Sequence, residues 1–552
     1  MIGVIANSSD HAVIAEFFEL FKTPWEFYKS DRRYEVVLCA ANQNPEYDHA
    51  KLVLLYVGHE LPADAEDSIE IASRRSNSVF SYNGARLPIY GESITFRGEG
   101  ASLLVDEESQ QPAMYQCRSL GARVARIGYS LFDEIRILLT VGQPAAYAGI
   151  PTLDLHISLL RDLIIASGIS LVEVPPVPNG YRFIACLTHD VDHPSIVQHK
   201  WDHTVFGFLY RAVFGSLSDF FRGQIPFRNL LTNWAAALKL PFVYMGCAND
   251  FWHDFNDRYR ELESGLCSTF FVIPFKSRSG NTSHGVAPKF RASRYGARDI
   301  AGTIAKILAT GCEVGLHGID AWIDSARGLE EFGEIRRLTG ISETGVRMHW
   351  LYYDQQSPVT LEEAGATYDS TIGYRETVGY RAGTTQVYKP LQAIRLLELP
   401  MHVMDTALFY PAYLGLSSRQ ATTLIHGMLD KAVDLGGCIT INWHDRSLAP
   451  ERLWDACYRD LVQDMKDRGA WFATAGQAIS WFRKRRSVVF EMDCVETDGS
   501  RPRTSDDSSD SLPSLLLRSH KAHEPSWSDR PGPQRHVDVA FNERVETSVW
   551  TA

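Results

Sequence analysis

Two aspartates one residue apart, Asp190 and Asp192, close an apolar run in the segment FIACLTHDVDH, with His189 and His193 set around them. Carboxylates this close at the end of a buried strand repel each other and lose hydration, a costly arrangement unless a cation such as a metal ion offsets it. Further polar residues fall at the same point of later apolar runs: His317 in EVGLHG, Arg347 and His349 in GVRMHW, and His444 in ITINWHDR. Any one of them alone is ordinarily a hydrogen-bonded core group. Repeated at strand ends, they form the pattern of a site.

The elements that would bring this set together are short. From residue 181 onward, apolar strands at 183–187, 268–273, 313–316, 345–348, 367–370, 396–399, 438–443 and 471–474 alternate with amphipathic helices such as 299–310 and 453–466. Repeated strand–helix units imply an α/β fold with a mostly parallel sheet, closed or nearly closed into a distorted (β/α) barrel with its chemistry at the C-terminal strand ends. A long helical and aromatic insertion, 194–266, separates the first two strands and would cover the mouth of the barrel.

Residues 1–175 read as a smaller mixed α/β accessory domain, with strands at 2–6, 35–41, 52–57 and 93–96, helices at 12–21 and 153–165, and no phosphate-binding loop. The three prolines and terminal glycine of PPVPNG, 175–180, mark its boundary with a barrel spanning 181–483. RKRR at 483–486 reads as a solvated helix end, and 497–552, rich in Ser, Asp, Pro and Arg, as a disordered tail.

Bulk properties narrow the partners. A chain of 552 residues exceeds what one hydrophobic core supports. A net charge of −12 without a basic stripe argues against nucleic acid. Nine cysteines without a CxxC pair indicate neither a disulfide framework nor a zinc ribbon, and suggest a reducing compartment. With no signal-peptide pattern and no apolar run near the ~20 residues that span a bilayer, a cytoplasmic location without a membrane span is expected.

Taken in order, THDVD, STFFVIP, EVGLHG, GVRMHW and INWHD resemble the motifs of the polysaccharide deacetylase family, the NodB-homology domain of carbohydrate esterase family four, over residues 182–483. The resemblance implies a distorted (β/α) barrel that uses a divalent metal, zinc foremost, to remove an acetyl group from an N-acetylated sugar. By position it makes Asp190 the general base, Asp192 and His317 metal ligands, Arg347 the residue holding Asp190 anionic, and His444 the acid that protonates the leaving amine. These types suit amide hydrolysis. A metal lowers the pKa of water towards about 7, the oxyanion needs positive charge or N–H donors, and the amine cannot leave unprotonated.

Two departures matter. Val191 separates the aspartates, giving a D-x-D form, and Ala321 stands where the family's second motif usually carries a further histidine. His349 is the first choice as replacement ligand, followed by Asp320 and by His199 and His203 at helical spacing. His189 and His193 could be orienters or ligands, and Asp405 could orient His444 or cap a helix. Tyr374 and Arg381, with Tyr380 between them, suit a sugar-binding loop as well as a structural turn around Gly379 and Gly383. Ala321 also leaves open a carbohydrate-binding barrel without catalysis, and fold analogy leaves open an amidohydrolase or esterase of some non-sugar C–N or ester bond.

Overall fold

A computed structural model describes residues 1–41, 50–66, 69–97, 102–119, 122–223, 225–492, 500–503, 512–522 and 536–541. The chain divides into two compact units. One comprises 181–379 and 392–480; the other comprises 1–180, 380–391 and 481–552.

The first unit is built on nine parallel strands: β1 (Phe183–Val191), β2 (Thr269–Val272), β3 (Glu313–Gly318), β4 (Val346–Met348), β5 (Tyr368–Asp369), β6 (Leu397–Glu398), β7 (Val403–Met404), β8 (Cys438–Asn442) and β9 (Ala470–Phe472). Their order is β6-β5-β4-β3-β2-β1-β8-β7, with β9 also on β1. β1 is the pivot. Its residues 184–188 pair with β8, 188–191 with β2, and 183–185 with β9. Among the described residues β6 and β7 do not pair, so the sheet is a curled half-barrel, not a closed one. The strands read from the sequence all lie in it; β7, only two residues long, had no periodicity to reveal it.

Every residue of β1 is buried, as a strand covered on both faces requires. The amphipathic helices Ala301–Ala309, Ser325–Thr339, Ser418–Leu435 and Asp455–Asp467 bury Ile304, Phe332, Leu429 and Met465 among others, each burial contributing about 1.5–3 kcal/mol. Local chemistry sets their limits. Asp324 caps Ser325–Thr339 by accepting from the N–H groups of Ala326 and Arg327 at 3.0 and 3.1 Å, and Gly340 ends it in the left-handed region. Gly345, at the foot of β4, must lack a side chain because a Cβ would stand 2.0 Å from the Tyr368 ring.

The insertion forms helices His203–Leu209, Ser216–Phe221, Phe227–Tyr244 and Phe255–Glu263, with a π-helical turn at Tyr210–Gly215. It has its own small core, including Val205, Phe208, Leu240 and Trp252.

The second unit carries a mixed six-stranded sheet in the order Trp25–Phe27, Ile2–Ile5, Val36–Cys39, Leu52–Tyr56, Ala122–Ile127 and Met114–Ser119, parallel except for the last pair. A long hairpin, Ile71–Tyr82 with Ala85–Phe96, extends far beyond the strand expected at 93–96. Polar residues interrupt both arms, which hid them from a search for apolar runs.

Three sequence expectations are corrected here. Residues 380–391 and 481–483, assigned to the barrel, belong to this unit. Part of the tail is ordered: Leu516–His520 pairs antiparallel with Leu171–Glu173 and with His536–Ala540, because Leu515, Leu516 and Leu517 supply an apolar anchor and His520 bonds the buried Glu173 at 3.0 Å. The other residues of that stretch, apart from 500–503 and 512–515 and their neighbours in these strands, lie outside the described ones. RKRR is not a solvated helix end either. Arg485 is 1% exposed and donates to the carbonyls of Val174, Glu19 and Leu20, while Arg486 pairs with Glu16 at 2.8 Å.

Candidate metal centre and catalytic groups

Strand alternation decides which groups converge. Side chains two apart share a face, so Thr188, Asp190 and Asp192 point one way along and beyond β1 while His189 points the other. His189 is accordingly a core residue, bonded to the Trp443 carbonyl at 2.8 Å and to Glu263 at 2.9 Å.

Asp190 is held at both oxygens. Arg347 Nη1 donates to Oδ1 at 3.0 Å, and Asn442 Nδ2 donates to Oδ2 at 2.8 Å. Arg347 is itself fully buried, with further bonds to Thr188 Oγ1 at 2.7 Å, Ser370 O at 3.0 Å and Ser370 Oγ at 2.9 Å, and with its guanidinium 4.6 Å from the Phe271 ring centre. Burial alone would raise the pKa of the Asp190 carboxyl, but Arg347, then His317 and His444, outweigh it and hold the group anionic.

Asp192, His317 and His349 form a cluster in which one ligand atom from each lies within 4.8 Å of the others. His317 Nε2 is 3.3 Å and His349 Nε2 3.7 Å from Asp192 Oδ1. That oxygen is buried and has no hydrogen-bond partner, a cost that a cation would remove. The His317 ring approaches the Arg347 carbonyl with Nδ1 at 3.0 Å. Only an N–H can serve there, so the Nε2 lone pair is left facing Asp192. Burial pushes His349 down to about 3 against the pull of Asp192, leaving a neutral ring suited to ligation. One carboxylate and two imidazoles fit a divalent cation such as zinc.

His349 sits just beyond β4, where Trp350 and Leu351 take positive φ values of 67° and 52°. Side chains of this size rarely adopt that conformation, and each costs about 1–3 kcal/mol. The turn follows directly on His349 and sets Trp350 in the wall of the cavity.

His444 lies beyond β8, on the same phase as Asn442. Its Nδ1 is 2.6 Å from Asp405 Oδ1, its backbone N–H donates to Asp405 Oδ2 at 2.6 Å, and Ser447 bonds that second oxygen too. Nε2 is 3.9 Å from Asp192 Oδ2. Burial works against a charged ring, but Asp405 dominates and raises the pKa to about 10. A cavity of 390 Å³ opens beside these groups, bordered by Asp192, His444 and Trp350 and, from the insertion, by His203, Gly207 and Arg211.

The remaining candidates fall elsewhere. Asp320 accepts from the Asn281 N–H at 2.7 Å and from Arg327 at 2.9 Å, and does not face the ligand cluster. His199 is paired with Asp202 at 2.9 Å and His193 at 3.2 Å; His203 borders the cavity without joining the cluster. Tyr374 is 4% exposed and does not border the cavity. Arg381 belongs to the other unit, where its carbonyl accepts from the Gln143 N–H at 2.8 Å. Just after Arg381, the buried carboxylate of Asp154 bonds Thr384 Oγ1 and the Thr385 N–H. Asn442, Thr188 and Ser370 were not anticipated. Alternation could have found Asn442, a buried polar residue two before His444.

No family model and no curated protein matches this chain. Several solved structures do resemble it. A candidate polysaccharide deacetylase of Mycobacterium smegmatis is 18% identical, covering 56% of this chain and 95% of its own, with a TM-score of 0.34. A family 4 acetyl xylan esterase of Clostridium thermocellum, in complex with cobalt, is 11% identical over 54% of this chain and 91% of its own, at 0.23. The catalytic domain of a peptidoglycan N-acetylglucosamine deacetylase of Eubacterium rectale is 14% identical over 55% and 93%, also at 0.23.

Proposed function

We propose that this chain is a metal-dependent hydrolase that removes an acetyl group from an N-acetylated sugar or saccharide intermediate. The observation that carries the reading is the unpartnered, buried Asp192 Oδ1 within reach of His317 and His349, with Asp190 and His444 beside it. A divalent metal bound by these three residues would polarise water and the acetyl carbonyl. Asp190, kept anionic by Arg347 and aligned by Asn442, accepts the proton of the attacking water. His444, kept protonated by Asp405, gives a proton to the leaving nitrogen. The acetyl-sugar preference follows from the motif resemblance; the residues themselves support hydrolysis of an amide.

The reading without catalysis was motivated by Ala321. His349 supplies the ligand atom that Ala321 cannot, and a binder has no use for a carboxylate, its guanidinium partner and a charged imidazole held together. The test is metal content and acetate release. Purified protein is expected to bind about one equivalent of zinc or a similar divalent ion, and to release acetate from chitin oligosaccharides in a reaction abolished by Asp190→Asn. Metal-free protein that stays metal-free on dialysis against zinc, or unchanged release in the Asp190→Asn variant, would overturn it.

A further inference from the structure

Three arginines border the cavity: Arg211 from the insertion, and Arg446 and Arg452 from the loop after β8. Each has a buried Nε with no hydrogen-bond partner. Arg446 Nη2 reaches Glu451 at 3.1 Å and its guanidinium lies 4.0 Å from the Trp252 ring centre; Arg452 Nη2 bonds the Tyr410 hydroxyl at 2.5 Å. Among the described residues, Arg446 alone of the three has an ion pair. Burial, and then repulsion from Arg446 and Arg452, pushes Arg211 down to about 10. Three guanidinium Nε atoms buried without partners beside one cavity are a standing cost that an anionic ligand would relieve.

We propose that this cavity receives a phosphoryl group carried by the sugar, so that the substrate is an N-acetylated sugar phosphate ester; this rests on the hydrolase reading above. Glu451 neutralises one arginine of the three. Asp445 also borders the cavity and accepts from the His193 N–H at 2.8 Å, and Asp405 lies close enough to act on Arg452. Three guanidinium groups on one cavity suit the roughly −1.5 to −2 charge of a phosphate monoester better than the single charge of a carboxylate. Planar guanidinium forks also suit phosphate oxygens.

The test is calorimetric titration of the full, zinc-loaded chain with N-acetylglucosamine 1-phosphate, N-acetylglucosamine and N-acetylmuramic acid. The phosphorylated sugar is expected to bind about tenfold or more tighter than the neutral one. The preference should shrink to under about threefold in Arg211→Gln, with Arg452→Gln as the second variant, and should survive in Asp190→Asn. Because binding is read without turnover, failure to release acetate leaves this measurement standing. A uridine diphosphate sugar and a short-chain polyprenyl diphosphate sugar, run in parallel, tell a soluble carrier from a lipid one; preference for either over the neutral sugar supports the site. Equal affinity for phosphorylated and neutral sugars, or tighter binding of the carboxylated one, overturns it.

A separate observation concerns the outside of the insertion. Over 203–214 the helix shows three faces. Gly207 and Arg211 border the cavity, Phe208 and Ala212 enter the local core, and Phe206, Tyr210 and Phe214 are 53%, 65% and 66% exposed. Further along, Phe221, Leu238 and Phe242 are 78%, 76% and 52% exposed. Residues 220–249 hold Arg222, Arg228 and Lys239 and no acidic residue, in a chain of net charge −12. No described helix is long and apolar enough to cross a membrane. Over 203–249 the one acidic residue is Asp219, against Arg222, Arg228 and Lys239, and exposed aromatic and aliphatic side chains with an excess of cations mark a surface that lies on an anionic bilayer. We infer that the insertion docks the protein there.

Co-sedimentation of the full chain with phosphatidylcholine vesicles, with and without phosphatidylglycerol, tests this. The bound fraction should rise with phosphatidylglycerol, fall with salt, and drop about fivefold or more in the Phe221→Ser, Leu238→Ser, Phe242→Ser triple variant. No binding to either vesicle overturns the inference, as does self-association abolished by the same substitutions, which would make a second copy the occupant.

Discussion

Asp405 grips His444 twice, through the ring Nδ1 at 2.6 Å and through the backbone N–H at 2.6 Å. The first contact fixes the ring's protonation and turns Nε2 towards Asp192; the second fixes where the ring stands. The pair therefore holds a charged imidazole in place beside Asp192, as the proposed proton donor requires.

Asp405→Asn keeps the shape and removes the charge. The expected result is a fall in kcat of about 10²–10⁴-fold with KM little changed, because His444 acts on the leaving nitrogen and not on ground-state binding. Steady-state kinetics on an acetylated oligosaccharide checks it, and retention of kcat within about threefold would remove His444 from the role of acid.

Replacing His349 by Ala should weaken zinc binding by at least about 10–100-fold, measured by competition with a chromophoric chelator. His199→Ala, at a histidine outside the ligand cluster, should leave the affinity unchanged. Equal affinities in the two variants would show that the third ligand lies elsewhere.

Arg347→Met strands Asp190 as a buried charge with one neutral partner, Asn442. Urea denaturation is expected to show a loss of about 3–5 kcal/mol. In the double variant with Asp190→Asn much of that loss should return, since the uncompensated carboxylate is gone.

In the other unit, Glu134 accepts from the Tyr90 and Gly91 N–H groups at 2.7 Å each, yet burial raises its pKa from 4.5 to about 7. The folded state thus holds the proton more tightly than the unfolded one. Its contribution is fully present below pH about 4.5 and is lost as the pH rises to about 7. Denaturation midpoints recorded across that window should fall less steeply in Glu134→Gln than in the parent.

Much of the half-barrel was legible because its strands are buried on both faces and so read as unbroken apolar runs; β1 is the clearest case. The candidate site was legible through the polar residues that end those runs, and His349 could be ranked above Asp320 because it follows the arginine motif at a strand end. Asn442 was missed, since an amide inside an apolar run looks like any satisfied core group until its partner is known. The long hairpin 71–96 escaped because its arms mix charge with apolar residues. The path of 380–391 escaped for a different reason: what holds it is the carboxylate of Asp154, more than two hundred residues away, and no local pattern encodes that contact.

That path sets the order in which the molecule can be finished on the ribosome. The first 180 residues emerge early, but Asp154 waits for Thr384 and Thr385, Glu16 waits for the Lys389 N–H and for Arg486, and Leu171–Glu173 waits for the strand at 516–520. The unit translated first is thus completed last, with most of the half-barrel synthesised while its buried acids still lack their partners. A fragment ending at residue 180 would carry those acids permanently unmet, and nascent chains stalled before residue 390 are where chaperone binding and proteolysis should concentrate.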